Sequence, residues 1–347
     1  MSWCKSFLSN RTQRVKINGH YSDKLVIKYG TVQGSVLGPK FFNIYVRSQP
    51  RVFRNCGFKS TAFADDSNGR KTFALSFQYN ILVNDVKNCI ERITTWSYML
   101  SLKINPDKTE MILFHPKSMK HQVIIGGTII GEECIRYSKQ IKNVGAWLDE
   151  HLDMNKQINT TVSLSYKSLQ NIGRIRNILT KEHTETLVHS VMSRLDYCNS
   201  LLFNISKSKL FKLQKVQNAA ARLVVRCKKR TPISTTLKKL HWLRVESRII
   251  FKLLLLMYKC INGQSARIID IKYKSHNCRP QDYLLLETKK VRTKYGKRAF
   301  SYAGPMLWNA LPLAMRTEEN VDLFKKQVKT MLFEGTDLFM KRAFKYN

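Results

Sequence analysis

Two aspartates stand side by side at positions 65 and 66, within Ala62-Phe63-Ala64-Asp65-Asp66-Ser67-Asn68-Gly69-Arg70. Adjacent carboxylates repel unless a cation neutralises them, and a pair of acid oxygens suits a hard divalent ion such as Mg²⁺. The flanking residues say how the pair is held. "GFKSTAFA" and "RKTFALSF" read as short strands, with Asp65-Asp66-Ser67-Asn68-Gly69 as the turn between them. The same residues also make a good solvent-exposed turn, so the pattern by itself leaves both readings open. A two-metal phosphoryl-transfer centre would need a further carboxylate from another strand.

The elements that must position this pair follow from periodicity. Residues 2–8 fit the end of a helix, and "TQRVKINGHYSDKLVI" gives two β-rich runs around Asn18-Gly19, a hairpin pattern. A glycine-punctuated loop from Gly30 to Gly38 leads into "PKFFNIYV", where Pro39 suits a first helical turn. From Tyr79 to Leu100, the positions Ile81, Val86, Cys89, Ile90, Ile93 and Trp96 recur at helical spacing. Short strands are expected at 102–105, 111–114, 122–130 and 141–148. Helices interleaved with short strands, with little room for βαβ crossovers, predict an α+β fold. Beyond Asp153 the texture is helical, at about 153–178, 183–203, 206–229, 246–262 and 320–333, with a looser region at 265–300.

Charge narrows the function classes. The 347 residues carry 60 Lys plus Arg against 24 Asp plus Glu, a formal net charge of +36, which points to a polyanionic partner, nucleic acid ahead of an anionic membrane. Residues 205–252 hold 14 of these cations and one acid, Glu246. On the helix at 206–229, Leu210, Leu213, Val216, Ala220, Leu223 and Val224 make an apolar stripe. Lys212, Lys215, Arg222 and Arg226 lie largely off it, either as a phosphate-following face or as a solvated one. The eight cysteines form no CxxC pair, which argues against a zinc ribbon and reads as reduced, mostly packed thiols. His241 has no Cys or His at zinc-finger spacing, and Trp242 and Trp308 fit core anchors better than base-stacking platforms. The longest apolar run, "FKLLLLMY" at 251–258, is too short to span a membrane, so the expected compartment is nuclear or cytoplasmic, without a membrane partner.

Several blocks together resemble one family. "GTVQGSVLGPKFFNIY" at 30–45, "AFADDSNGR" at 62–70, "LKINPDKTEMILF" at 102–114 and "IKNVGAWLDEHLDM" at 141–154 resemble, in order, motifs of the reverse transcriptases of non-LTR retrotransposons, LINE elements of the jockey and CR1 type. "HWLRVESRIIFKLLLLMYKCINGQ" at 241–264 and "YGKRAFSYAGPMLWNALP" at 295–312 are similar to blocks of the carboxy-terminal part of those reading frames.

The resemblance implies an RNA-directed DNA polymerase. It implies a partial palm over 1–150, an antiparallel sheet with helices, then a helical thumb-like region over 151–230 and a helical family-specific region over 231–347. Asp65 and Asp66 become catalytic, metal-binding aspartates, with Mg²⁺, or alternatively Mn²⁺, as cofactor. Gln33, Gly34 and Ser35 become the turn beneath the incoming base pair, Phe63 part of the floor of the site, and Lys108 a lysine near the triphosphate. Gly145 allows the backbone approach expected of a primer-gripping hairpin, and a bulge glycine would look the same. The implied partners are an RNA template with a DNA primer, or an RNA–DNA hybrid, and the missing N-terminal half of the element's polyprotein. Two departures stand out: Val32 replaces the family's proline, and Arg47-Ser48-Gln49 stands where the family has Asn-Asp-Leu. The family's first palm aspartate has no counterpart among the 29 residues before Gly30, whose one acid is Asp23. The expectation is therefore a reverse transcriptase fragment that is inactive alone, or alternatively a non-catalytic nucleic-acid-binding remnant.

Overall fold

The structure, a computed structural model, describes residues 2–32, 34–73, 79–119, 128–130, 133–135, 137–228, 230–265, 269–274 and 284–345. It forms two compact units: Met1–Leu113 with His121–Ser138, and Phe114–Lys120 with Lys139–Asn347.

The first unit opens with α1 (Ser2–Leu8) and four short strands, β1 (Thr12–Gln13), β2 (Lys16–Ile17), β3 (His20–Tyr21) and β4 (Leu25–Val26); β2 pairs with β3 inside a β1–β4 ladder. Asn18 and Gly19 turn the inner pair with φ of 48° and 87°, the left-handed geometry that tight hairpins need. Proline in the first turn starts both α2 (Gly38–Tyr45) and α3 (Gln49–Asn55). Then come the hairpin of β5 (Lys59–Phe63) and β6 (Asp66–Arg70), the long helix α4 (Tyr79–Met99), and a final pair, β7 (Thr128–Ile130) with β8 (Glu133–Ile135). Among the described residues the core is small: Phe53, Cys89 and Ile93 are buried, with Val52, Cys56, Phe58 and Ile104 packed around them. Burial, and Cys56 beside it, push the Cys89 thiol up to about 12, so it stays protonated as a packing group.

Two expected strands need correction. Residues 102–105 join no ladder, because Pro106 lacks the N–H to continue one and starts a 3₁₀ turn, Pro106–Lys108. Met111 makes a single parallel bridge to Tyr137. Of the strand expected at 122–130, residues 122–127 lie outside the described residues. Among those described, every ladder is a two-stranded antiparallel pair. The fold is thus a mixture of helices and small antiparallel sheets, as an α+β chain should be.

The second unit begins its sheet with a hairpin, β9 (Gln140–Asn143) and β10 (Ala146–Asp149), and continues as helices: α5 (Asn155–Ile175), α6 (Lys181–Asp196), α7 (Lys207–Val225), α8 (Ile233–Lys239), α9 (Val245–Ile261), α10 (Phe300–Asn309), α11 (Leu313–Arg316) and α12 (Val321–Lys345), broken at an extended Gly335. The helix expected over 183–203 stops at Asp196, because Cys198 takes a left-handed φ of 52° and starts a separate 3₁₀ turn, Asn199–Leu202. α8 and α10 were not legible. In α10 the helical signal is interrupted by Gly304 and Pro305, yet Gly304 is where the helix meets Met257, whose Sδ would lie 3.0 Å from an added Cβ.

One core runs from Met154 to Ala343. Trp308 is fully buried, its indole N–H donating to the Leu284 carbonyl at 3.1 Å, while Tyr258 stacks on Phe324 at 4.3 Å. Trp242 is buried as well, so both tryptophans are core anchors. Asn309 pairs with the Leu286 backbone like a strand residue, accepting from its N–H and donating to its carbonyl, both at 2.8 Å. Among the described residues, no helix is long and apolar enough to cross a membrane.

A buried cation, Arg176, satisfies one end of this core. The last carbonyls of any helix lack an intrahelical partner. Here the Arg176 guanidinium donates to Leu223 and Val224 of α7 at 2.8 and 2.9 Å, and to Leu179 at 2.8 Å. Arg176→Met keeps the stem and removes the donors; it should lower the free energy of unfolding in urea by about 3 kcal/mol, with Arg176→Lys recovering part of the loss.

Candidate functional site

The β5–β6 hairpin is tighter than its residues suggest. Phe63 pairs with Asp66, Ala62 with Ser67, Thr61 with Asn68 and Ser60 with Gly69, so the turn is only Ala64-Asp65. Asp65 stands in the turn and Asp66 opens the return strand; the five-residue turn expected at 65–69 is corrected to two residues. Ala64 has a φ of 53°, a left-handed conformation that costs a residue with a side chain about 1–2 kcal/mol. Both carboxylates are exposed, and so is Phe63, at 64 %.

Gly69 explains why the turn does not lie there. An added Cβ at Gly69 would come 2.6 Å from Phe53 Cε1, so the return strand lies against the phenyl ring where a side chain is missing. Phe53 in turn packs with Cys89 and Ile93 of α4. Polar contacts complete the frame. Ser67 donates to Gln49 Oε1 at 2.9 Å, Trp96 Nε1 to Ser48 Oγ at 3.0 Å, Tyr45 Oη to the Leu100 carbonyl at 2.6 Å, and Lys71 pairs with Asp85 at 2.6 Å. Ser48 and Gln49, two of the residues that depart from the family pattern, therefore each hold a neighbouring element.

Gln33 lies outside the described residues. Gly34 has a φ of 79°, and the Ser35 hydroxyl donates to Val32 O at 2.7 Å and accepts from Gly38 N–H at 3.0 Å, fixing the loop that leads into α2. Lys108 is exposed at the end of its 3₁₀ turn. In the second unit, Gly145 has a φ of 79° at the β9–β10 turn, and what approaches it is the chain's own Tyr197, whose hydroxyl would be 3.1 Å from an added Cβ and donates to the Val144 carbonyl. On α7, Lys212 and Lys215 are exposed, Lys212 reaching Asn159 at 3.3 Å and Lys215 lying over the exposed Phe211 ring at 4.8 Å. Arg222 is half-buried, and Arg226 caps α5 by donating to the Arg176 carbonyl at 2.7 Å.

Asp65 and Asp66 offer hard oxygen donors, which fit part of the shell of one divalent cation. Among the described residues, no further His, Cys, Asp or Glu joins them; the one converging set of three is His115, Glu150 and His151. Sequence reasoning missed that set, because its first member is 35 residues from the second and no spacing rule links them.

Residues 1–148 match the family model described as reverse transcriptase (RNA-dependent DNA polymerase). The chain is 26% identical over 241 residues to "Probable RNA-directed DNA polymerase from transposon BS" of Drosophila melanogaster, covering 64% of this chain and 25% of the relative. It is 25% identical over 172 residues to "RNA-directed DNA polymerase from mobile element jockey" of the same organism, covering 47% of this chain and 18% of the relative. The chain thus spans about a quarter or less of the length of these curated relatives. No solved structure matches it. The resemblance to reverse transcriptases of LINE-type mobile elements is borne out, with the family match over the first 148 residues. Reverse transcriptases work with a divalent metal ion.

The frame around the acid pair can be tested directly. Gly69→Ala forces a methyl group into the Phe53 ring and should destabilise the first unit by about 1–3 kcal/mol, read as faster hydrogen exchange across 59–70. Adding Phe53→Leu should recover part of that loss, since the two changes share one contact.

Proposed function

We propose that this chain is the part of a non-LTR retrotransposon reverse transcriptase that carries the catalytic palm hairpin (within 1–150), a helical thumb-like region (151–230) and a helical C-terminal region (231–347). One observation carries the reading. Inside the stretch that matches reverse transcriptases, a hairpin with a two-residue turn presents Asp65 and Asp66 together at its tip. The proposed reaction is transfer of a deoxynucleotidyl group from a dNTP to a primer 3′-OH on an RNA template, with release of pyrophosphate.

Asp65 and Asp66 would hold Mg²⁺, or Mn²⁺ in its place, which when bound supplies positive charge for the reacting phosphate. The Gln33-Gly34-Ser35 turn would support the incoming base pair through its backbone, because the Ser35 hydroxyl is already used within the loop. Exposed Lys108 would meet the triphosphate. Lys212, Lys215, Arg222 and Arg226 would follow the phosphates of a template–primer duplex, positioning it without reading sequence.

Two carboxylates do not complete a two-metal centre, and none of the described acids joins them. The same observation favours a second reading, a non-catalytic nucleic-acid-binding remnant. Primer extension on poly(rA)/oligo(dT) with Mg²⁺ separates the cases. The expected result is no synthesis by the 347-residue chain. Robust synthesis that Asp65→Asn abolishes would show that the site is complete without a further segment.

Binding is a separate outcome. A site neutralising about 6 phosphates should give a slope of log K against log salt near −5 on a B-form duplex. In a fluorescence-anisotropy titration, Lys212→Gln with Lys215→Gln should make that slope shallower by about two units and weaken all sequences alike. An unchanged slope with an intact fold would make the α7 face plain solvated surface.

A further inference from the structure

α7 carries its core on one side. Leu213, Val216, Ala220 and Val224 are each at most 1% exposed. At about 3.6 residues per turn, they stand about 140–220° round the helix from Phe211. Phe211 therefore faces away from the core, and it is 57% exposed. A phenyl ring placed there buries little apolar surface, so folding gives no reason for an aromatic at this position.

The neighbours of the ring are cations. Lys207 and Lys215, four residues to either side, lie about 40° from it round the helix and make one ridge with it. Lys212 follows it in the chain, and all three lysines are exposed. The Lys215 ammonium sits over the ring at 4.8 Å, while Lys212 reaches Asn159 on α5 at 3.3 Å. No acid occurs between Lys207 and Lys215.

An exposed ring set among lysines suits one class of ligand better than others. The outside of a duplex offers phosphates and sugars, which call for charge and leave a phenyl face unused. An acidic peptide would pair with the lysines and likewise leave the ring in water. An unpaired nucleic-acid strand offers both parts at once: its bases stack on aromatic rings while cations follow its backbone.

We propose, building on the reading that α7 meets nucleic acid, that Phe211 is a stacking platform for an unpaired nucleobase. Lys207, Lys212 and Lys215 hold the phosphates on either side. The strand this ridge meets is then the single-stranded part of a template and not its duplex with the primer. The ring asks for no particular base, because every base has a π-face.

Fluorescence anisotropy with the full chain tests this, using oligo(dT), oligo(rU) and a mixed-sequence duplex of equal length at one salt concentration. Phe211→Leu keeps apolar bulk and removes the flat ring. It should weaken binding of both unpaired strands by about fivefold or more while the duplex stays within about twofold. Phe211→Trp should retain the affinity for unpaired strands, and its added indole emission should be quenched by oligo(dT). Lys212→Gln with Lys215→Gln should instead weaken all three probes together. Because Phe211 is exposed, both of its variants should keep the wild-type circular dichroism. If the lysine change weakens binding while Phe211→Leu matches wild type or weakens every probe alike, the platform is overturned and the phosphate-following face stands. If the lysine change leaves every probe unchanged, the reading of α7 falls and the platform falls with it. A wild-type chain that binds no unpaired strand, or an indole at 211 that oligo(dT) does not quench, also overturns the platform.

Discussion

The first unit turns on a side chain that is absent. Because Gly69 has only a hydrogen, the return strand of the β5–β6 hairpin can lie on the Phe53 ring, and the ring can remain in its pocket against Cys89 and Ile93. The acid pair thereby becomes the tip of a hairpin whose base is packed on α3, itself packed on α4. With a core this small, each such contact is a large share of what holds the unit together. The hydrogen bonds from Ser67 to Gln49 and from Trp96 to Ser48 gain importance for the same reason. Two residues that read as departures from a family pattern are, in this chain, parts of the frame.

In the second unit the surplus of positive charge divides into two populations. Arg176 satisfies the end of α7, Arg226 that of α5, and Arg298 donates to Leu152 and Leu201. Arg248 forms a bidentate pair with Asp196, and Lys117 and Lys209 both reach Asp153. Burial raises the Asp153 carboxyl, but the Lys117 hydrogen bond and the charges of Lys209 and Lys117 outweigh it and hold it below the usual carboxylate range. These cations serve the fold. Lys212 and Lys215 are exposed on α7, where they meet Asn159 and the Phe211 ring. The net charge of +36 is therefore not a measure of how many cations a polyanion could meet.

Adjacent aspartates on a solvent-exposed tip gather water and oxygen ligands and suit a loosely held hard ion.

Local pattern determined much by itself. The Asn18-Gly19 hairpin, the long amphipathic α4, the helical texture after Asp153 and the burial of Trp242 and Trp308 were legible, because turn chemistry and apolar periodicity are properties of neighbouring residues. The motif blocks likewise pointed to the reverse transcriptases that residues 1–148 match, and to the acid pair. Tertiary structure decided the rest. Gly69 reads as a turn residue until the Phe53 ring is seen to need its missing side chain. Gly145 reads as a primer-gripping or bulge glycine, and only the structure shows Tyr197 beside it. Arg226 reads as a cation off the apolar stripe, and only the structure shows its hydrogen bond to the Arg176 carbonyl at the end of α5. His115 and His151, unremarkable in the chain, become neighbours only when the His115 backbone is hydrogen-bonded to Glu150 at the end of β10. In each case the deciding partner is far away in sequence, and contacts between distant residues leave no periodicity for local reading to find.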